Sequence, residues 1–208
     1  MDYNNITIDW LGHASFLIKG HINVYIDPFH IKKGLPKADI ILITHGHYDH
    51  CSLKDIESIL GESSIVIGPV DVRSKIGDVK FKMIHPGEEL ALKGIKIKAY
   101  PAYNINKEFH PKENGWVGYL VNIENVSVYH TGDTDAIPEL KELKNLDILL
   151  LPVGGTYTMD AQQAANFANE LKPKIAIPMH FGLIIGSSND AQRFKNLCTC
   201  PVEILGNL

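Results

Sequence analysis

The stretch Ile40-Ile41-Leu42-Ile43-Thr44-His45-Gly46-His47-Tyr48-Asp49-His50 decides how the chain is read. Its opening run of four apolar residues, short and unbroken, is what a strand buried on both faces requires. The run stops abruptly in three histidines and an aspartate, spaced His-x-His-x-Asp-His. Leu53, Ile56, Ile59 and Leu60 then fall on one helical stripe, with Ser52 as N-cap and Gly61 as stop. The polar cluster therefore sits on a strand-to-helix loop, where side chains converge without belonging to the core. His45 and His47, two apart, project to one side of an extended segment, and Asp49 and His50 continue into the turn. Three imidazoles and a carboxylate on one loop suit Zn, Mn or Fe and suit Ca or Mg poorly.

Working outward, the same event recurs twice. Upstream, Ile6–Trp10, Ala14–Lys19 and Ile22–Ile26 read as a three-strand meander, turning at Gly20-His21 and closed by Asp27-Pro28. Residues 29–37 form a loop. Downstream, Ile65–Gly68 is a short strand, and Phe81–Tyr100 reads as a meander broken at Pro86-Gly87 and Lys93-Gly94. Pro101–Gly115 is a polar loop long enough to suggest a functional role. A hairpin follows over Trp116–Ile123 and Val126–Tyr129, turning at Glu124-Asn125, and it ends in His130-Thr131-Gly132-Asp133-Thr134-Asp135. A helix is expected over Ile137–Leu146 and a strand over Asp147–Leu151. A capping-box start at Asp160 and Gln163 opens a helix reaching about Leu171. The strand Lys174–Pro178 then delivers Met179-His180; a helix over Asn189–Leu197 and a strand over Val202–Leu205 complete the chain. At Ile43, Tyr129 and Pro178 a strand ends directly in a His or Asp cluster. Ends of neighbouring strands lie side by side, so the three clusters can share one site.

Composition limits the alternatives. With 208 residues, 45% hydrophobic and 21% charged, the chain is long enough to bury a large core in a mixed α/β fold of one or two closely packed sub-domains. A net charge of −4 without a Lys/Arg-rich block argues against a strong nucleic-acid-binding surface. No stretch has the length of a membrane span, and the polar amino terminus lacks signal-peptide character. Three cysteines without regular spacing point to a reducing compartment, so a cytoplasmic protein acting on a small molecule is expected, with homo-oligomerisation left open.

His45-x-His47-x-Asp49-His50 resembles the signature of the metallo-β-lactamase superfamily. Gly132-Asp133 and Pro178-Met179-His180 stand where that superfamily places its bridging aspartate and last histidine. Gly12-His13-Ala14-Ser15, Asp27-Pro28, Tyr129–Thr134 and Gly155-Thr156-Tyr157-Thr158-Met159 are similar to its β-lactamase-like metal-dependent hydrolase branch, related to ascorbate-6-phosphate lactonase and N-acyl phosphatidylethanolamine phospholipase D. The resemblance covers nearly the whole chain and implies one domain over residues 1–208, a four-layer αββα sandwich. It further implies two divalent ions, zinc first with manganese or iron as alternatives. His45 and His47 would hold the first, Asp49, His50 and His180 the second, and Asp133 would bridge them. The implied activity is hydrolysis of a phosphodiester or a lactone by metal-bound hydroxide, with Asp49 also orienting the nucleophile. A flavodiiron-like redox protein and a non-catalytic metal-binding module are the alternatives; the Asp49-His50 pair and the short chain argue against the first.

One position departs from the pattern. Relatives often carry a histidine shortly after a Pro-Ala pair, whereas Pro101-Ala102-Tyr103-Asn104 has Asn104 there. His110, later in the same loop, is the candidate substitute, with Asn104 or water as the other ways to complete the first site. His13 is open between a site role and a buried hydrogen-bonding role. Asp27 is open between anchoring a ligand imidazole and capping its turn. Tyr48, Tyr103 and Tyr157 are candidates for substrate contact or local packing. His130 is expected to face the core, His21, His30 and His85 to be ordinary turn residues, and Cys51 to be a small apolar residue at a helix start. Cys198-x-Cys200 lacks the second pair of a zinc site.

Overall fold

The computed structural model describes residues Met1–Leu208. Its first sheet has seven strands lying side by side in chain order: β1 (Asp2–Tyr3), β2 (Ile6–Gly12), β3 (Ser15–Lys19), β4 (Asn23–Ile26), β5 (Ala38–Leu42), β6 (Leu60–Gly68) and β7 (Phe81–Met83). The second has six, again each beside its sequence neighbour: β8 (Glu89–Leu92), β9 (Ile95–Pro101), β10 (Val117–Ile123), β11 (Val126–His130), β12 (Ile148–Pro152) and β13 (Ile175–Met179). Pairing is antiparallel from β1 to β4 and from β8 to β11, and parallel from β4 to β7 and from β11 to β13.

Side-chain alternation builds the layers. Phe16, Ile18, Val24, Ile26, Ile40, Leu42 and Ile67 point from the first sheet into the large core shared with the second sheet. Their neighbours Leu17, Tyr25, Ile41, Ile43 and Val66 point the other way, onto Ile56 and Ile59 of α1 (Leu53–Ile59) and Val72 of α2 (Val70–Arg73). Successive strand residues face opposite sides, so a strand buried on both must be apolar throughout, as Ile40–Ile43 is. On the far side, α3 (Ala161–Leu171) buries Ala164, Ala168 and Leu171 against the second sheet, beside α4 (Ser188–Leu197). The result is the αββα sandwich expected from the sequence. No helix is long and apolar enough to cross a membrane.

The two sheets are tied together at one end. Val117 N–H donates to Thr44 O at 3.1 Å, the Tyr119 hydroxyl donates to Ile43 O at 2.8 Å, and His180 N–H donates to His13 O at 2.9 Å. The carboxyl ends of β5, β11 and β13 thereby meet.

Several boundaries differ from the sequence reading. Gly61 does not stop α1: the helix ends at an extended Leu60, which opens β6, so that strand runs nine residues instead of four. The expected helix over Ile137–Leu146 is a single 3-10 segment, Pro138–Glu142. Leu140, Leu143 and Leu146 have helical spacing and are buried, but the chain becomes extended at Leu143 and left-handed at Asn145. Val202 makes one isolated bridge to Ala176 where a strand is expected. The short helix α2 and the two-residue β1 carried no periodic signal.

Candidate metal centre

The loop after β5 is shaped by what surrounds Gly46. Its N–H donates to Asp71 Oδ2 at 3.0 Å, and Lys75 Nζ donates to its carbonyl. A β-carbon at this position would lie 2.4 Å from Asp71 Oδ2, so only glycine fits between the two histidines. The same Asp71 oxygen accepts from Trp116 Nε1 at 3.0 Å, and the Trp116 ring lies 4.8 Å from both His45 and His47 and 5.6 Å from His110.

Asp27 organises the other face of the loop. Its Oδ1 accepts from Thr44 N at 2.7 Å; its Oδ2 accepts from Thr44 Oγ1 at 2.6 Å and from His50 Nδ1 at 2.7 Å. With its hydroxyl proton committed to Asp27, Thr44 Oγ1 accepts from His45 Nδ1 at 3.0 Å. Both imidazoles therefore carry a proton on Nδ1 and turn Nε2 inward, the orientation that fixes a metal-binding histidine. Of the two roles open for Asp27, the anchoring one is formed.

The distant segments converge on Asp133. Its Oδ2 lies 3.4 Å from His50 Nε2, 3.3 Å from His110 Nε2 and 3.1 Å from His180 Nε2. His45 Nε2 and His47 Nδ1 are 3.0 Å apart. His110 enters by a detour: its Nδ1 donates to Asn104 Oδ1 at 2.9 Å and is 3.2 Å from Tyr157 O, leaving Nε2 toward the cluster. Asn104 thus stands behind His110 as its orienting acceptor. His13 Nε2 donates to Asp49 Oδ2 at 3.0 Å, and the His13 and His180 rings are 3.9 Å apart. His13, Asp27 and His180, all buried, adopt left-handed backbone at φ +50°, +46° and +59°. Such strain in non-glycine residues costs on the order of 1 kcal/mol each and gathers where side chains must be aimed.

Electrostatics favour the metal-binding form at His45, His47, Asp49 and Asp133, and a held proton at His50. Burial, aided by the charge of His50, pushes the His45 imidazole well below the usual range, and burial with His110 lowers His47, so both are neutral donors. Burial opposes ionisation of Asp133, but His180 and His50 hold it well below the usual carboxylate range. Asp49 is drawn down to about 2 against its burial, through the hydrogen bond from His13 and the charge of His50. His50 itself is raised well above its normal value because the Asp133 and Asp27 carboxylates outweigh burial.

The donor set fits divalent ions. Tetrahedral zinc, with Zn–N bonds near 2.0–2.1 Å, separates its ligand atoms by roughly 3.3 Å; the inward-facing pairs here span 3.0–3.4 Å. His50 Nε2, His110 Nε2, His180 Nε2 and Asp133 Oδ1 are buried without a hydrogen-bond partner, which is costly unless something else satisfies them. Three groups of ligand atoms can be drawn within 4.8 Å: His45, His47 and His110; His13, Asp49, His50 and His180; and Asp133 with His45 and His50 between them.

The structure thus brings His45, His47, Asp49, His50, His110, Asp133 and His180 to one place and sets His13, Asp27 and Asn104 directly behind them. Tyr48 and Tyr157 line the opening cleft with Phe109 and Ile184, whereas Tyr103 is turned away, its hydroxyl donating to Glu139. His130 faces the core, bonded to Ala14 O at 2.9 Å. Cys51 is buried, its thiol pushed up to about 12. Sequence reading missed Trp116, Asp71 and Lys75, and gave Thr44 no role although it stands inside the deciding stretch. Nothing in the spacing of Trp116 marked it; Asp71 sits on the short helix that periodicity did not find.

Comparison with known proteins agrees with this geometry. The model of the β-lactamase superfamily domain matches residues 7–180, ending at the last histidine of the cluster. A UPF0173 metal-dependent hydrolase of Thermoplasma volcanium is 36% identical over 206 residues, covering 93% of this chain and 91% of that protein. The crystal structure of a protein from Parabacteroides distasonis, described as a metal-dependent hydrolase, is similar with a TM-score of 0.88 and 33% identity, over 98% of this chain and 93% of that one. Igni18, a metallo hydrolase of Ignicoccus hospitalis, shares the fold at a TM-score of 0.80 and 23% identity, over 97% and 95% of the two chains. The chain belongs to the metallo-β-lactamase superfamily, among its metal-dependent hydrolases.

Proposed function

We propose that this chain hydrolyses a phosphodiester or a lactone with two divalent metal ions, zinc first and manganese or iron as alternatives. His45, His47 and His110 would hold one ion, Asp49, His50 and His180 the other, and Asp133 would lie between them. The observation that supports this reading is the convergence of His50, His110 and His180 Nε2 on the single oxygen Asp133 Oδ2, each ring fixed or buried so that Nε2 faces inward.

Bound divalent ions lower the pKa of a coordinated water toward neutrality and accept the negative charge that builds on the attacked oxygen. The protein supplies aim. Asp49 lines the cleft, and His13 holds its Oδ2, leaving the other carboxylate oxygen to accept a hydrogen bond from the attacking water. Asp27 and Asn104 keep His50 and His110 from rotating. The cleft offers about 220 Å³, a little less than the roughly 300–1,000 Å³ of pockets for drug-sized ligands, which favours a compact small-molecule substrate.

The test is to measure bound metal, then to compare hydrolysis of bis-p-nitrophenyl phosphate with that of simple lactones. The reading fails if the metal-loaded protein cleaves neither and Asp49→Ala changes nothing; a non-catalytic metal-binding module would then account for the site.

A further inference from the structure

Nine large hydrophobic side chains are exposed on this protein, and three of them, Tyr48, Phe109 and Ile184, line the one cleft that opens onto the metal-ligand cluster. Tyr48 is 69% exposed and Phe109 47%, and side chains of this kind gathered in one cleft mark a ligand-binding groove. Two of the three stand next to a candidate ligand in the chain and the third lies four residues after one. Tyr48 lies between His47 and Asp49, Phe109 precedes His110, and Ile184 follows His180 in a turn closed by Gly182 N–H donating to Ile185 O at 3.0 Å. Tyr157 completes the wall: its ring meets Phe109 edge to face, with centroids 4.7 Å apart at 87°. An apolar group resting on these four side chains shares one cleft with His47, Asp49, His110, Asp133 and His180.

Charge points the same way. No lysine or arginine lines the cleft. The lysines on the neighbouring segments are already engaged: Lys107 with Asp135, Lys112 with Glu139 at 2.7 Å, and Lys75 with the Gly46 carbonyl. Beyond the ions that the cluster would hold, a phosphate would find no lysine or arginine to take its remaining charge.

We infer, resting on the hydrolytic reading above, that the substrate is an uncharged carbonyl compound, a lactone or carboxylic ester, whose apolar arm lies among Tyr48, Phe109, Tyr157 and Ile184. The reaction consumes water. Its oxygen bonds to the carbonyl carbon, the acyl–oxygen bond breaks, and the departing oxygen takes a proton, so a lactone yields its hydroxy acid with no oxidant or reductant.

The experiment compares metal-loaded protein on γ-butyrolactone, γ-octalactone and bis-p-nitrophenyl phosphate. Each buried methylene contributes about fourfold, so a partly covered four-carbon arm raises kcat/KM by about tenfold or more for γ-octalactone over γ-butyrolactone. Phe109→Ala and Ile184→Ala each lower that ratio about threefold to tenfold, while Met83→Ala, exposed on β7 away from the cleft, leaves it unchanged. Calorimetry adds a readout independent of turnover: octanoate binds more tightly than butanoate, and Phe109→Ala removes the difference. Cleavage of bis-p-nitrophenyl phosphate without lactonase activity overturns the inference and leaves the hydrolytic reading standing. A chain-length ratio near one, or a ratio that Phe109→Ala and Ile184→Ala both leave intact, also overturns it. Cleavage of none of the three substrates overturns the hydrolytic reading itself.

Discussion

At the scale of single residues the site is held by groups that never face the cleft. Gly46 has its N–H on Asp71, its carbonyl on Lys75, and no room for a methyl group. Gly46→Ala is expected to displace Asp71 and Trp116 together, costing roughly 1–3 kcal/mol by overpacking and weakening metal binding; chemical denaturation and metal titration read the two effects. Asp27 carries three hydrogen bonds, two from Thr44 and one from the His50 imidazole. Asp27→Asn keeps the volume but offers only one accepting oxygen, so His50 is no longer held in a single tautomer. Metal affinity should fall on the order of 10–100-fold, as is usual when the partner of a metal-ligating histidine is lost. An unchanged affinity in a competition titration would mean that His50 is aimed by packing alone.

At the scale of elements, the loop between β9 and β10 is the least regular part of the site and the most dependent on one neighbour. Residues 104–110 are closed by Asn104 N–H donating to His110 O at 2.7 Å. They are braced by Asp135, which accepts from Ile105 N at 2.9 Å and from Lys107 Nζ. Asp135 lies two residues after Asp133, so the segment that ends β11 supplies a candidate ligand and also positions the loop bearing His110 and Phe109. Asp135→Ala should leave both sheets intact and accelerate amide hydrogen exchange at Ile105 by tenfold or more. Protection retained at Ile105 would show that the loop is held by the Asn104–His110 closure alone. This brace also explains a limit of sequence reading. Asn104 stands where a histidine was expected, and the sequence could not tell whether Asn104, His110 or water completes the set, because the answer depends on a turn whose geometry is set by a carboxylate about thirty residues away.

At the scale of the whole molecule, what the sequence reveals is what repeats locally. The apolar run Ile40–Ile43 announces a strand buried on both faces, and the three strand-ending clusters announce one shared edge, because both follow from side-chain period and strand packing. What stays hidden rests on single long-range contacts: the brace on Gly46 from α2, the collapse of Ile137–Leu146 to one 3-10 turn, and the tie around Asp147. That last residue opens the approach to β12 and gathers four partners, accepting from Ser127 N at 2.8 Å, Ser127 Oγ at 2.9 Å, Tyr3 Oη at 3.2 Å and Lys174 Nζ at 2.7 Å. It thereby fastens β1, β11 and the start of β13 to one carboxylate. Burial resists its ionisation, yet the Lys174 and Ser127 hydrogen bonds hold its pKa below the usual value. A carboxyl group whose folded pKa is depressed stabilises the fold fully above its unfolded pKa, near 3.9, and loses that contribution as pH falls through the lower folded value. Asp147→Asn should therefore destabilise the protein by roughly 1–3 kcal/mol near neutrality. The gap between the two proteins should stay constant down to about pH 5 and close progressively below about pH 4. Subtracting the two curves cancels every other titrating group, the histidine cluster included, so urea unfolding across that range isolates this carboxylate. A gap that does not narrow in acid would show that Asp147 acts through shape and not through its charge.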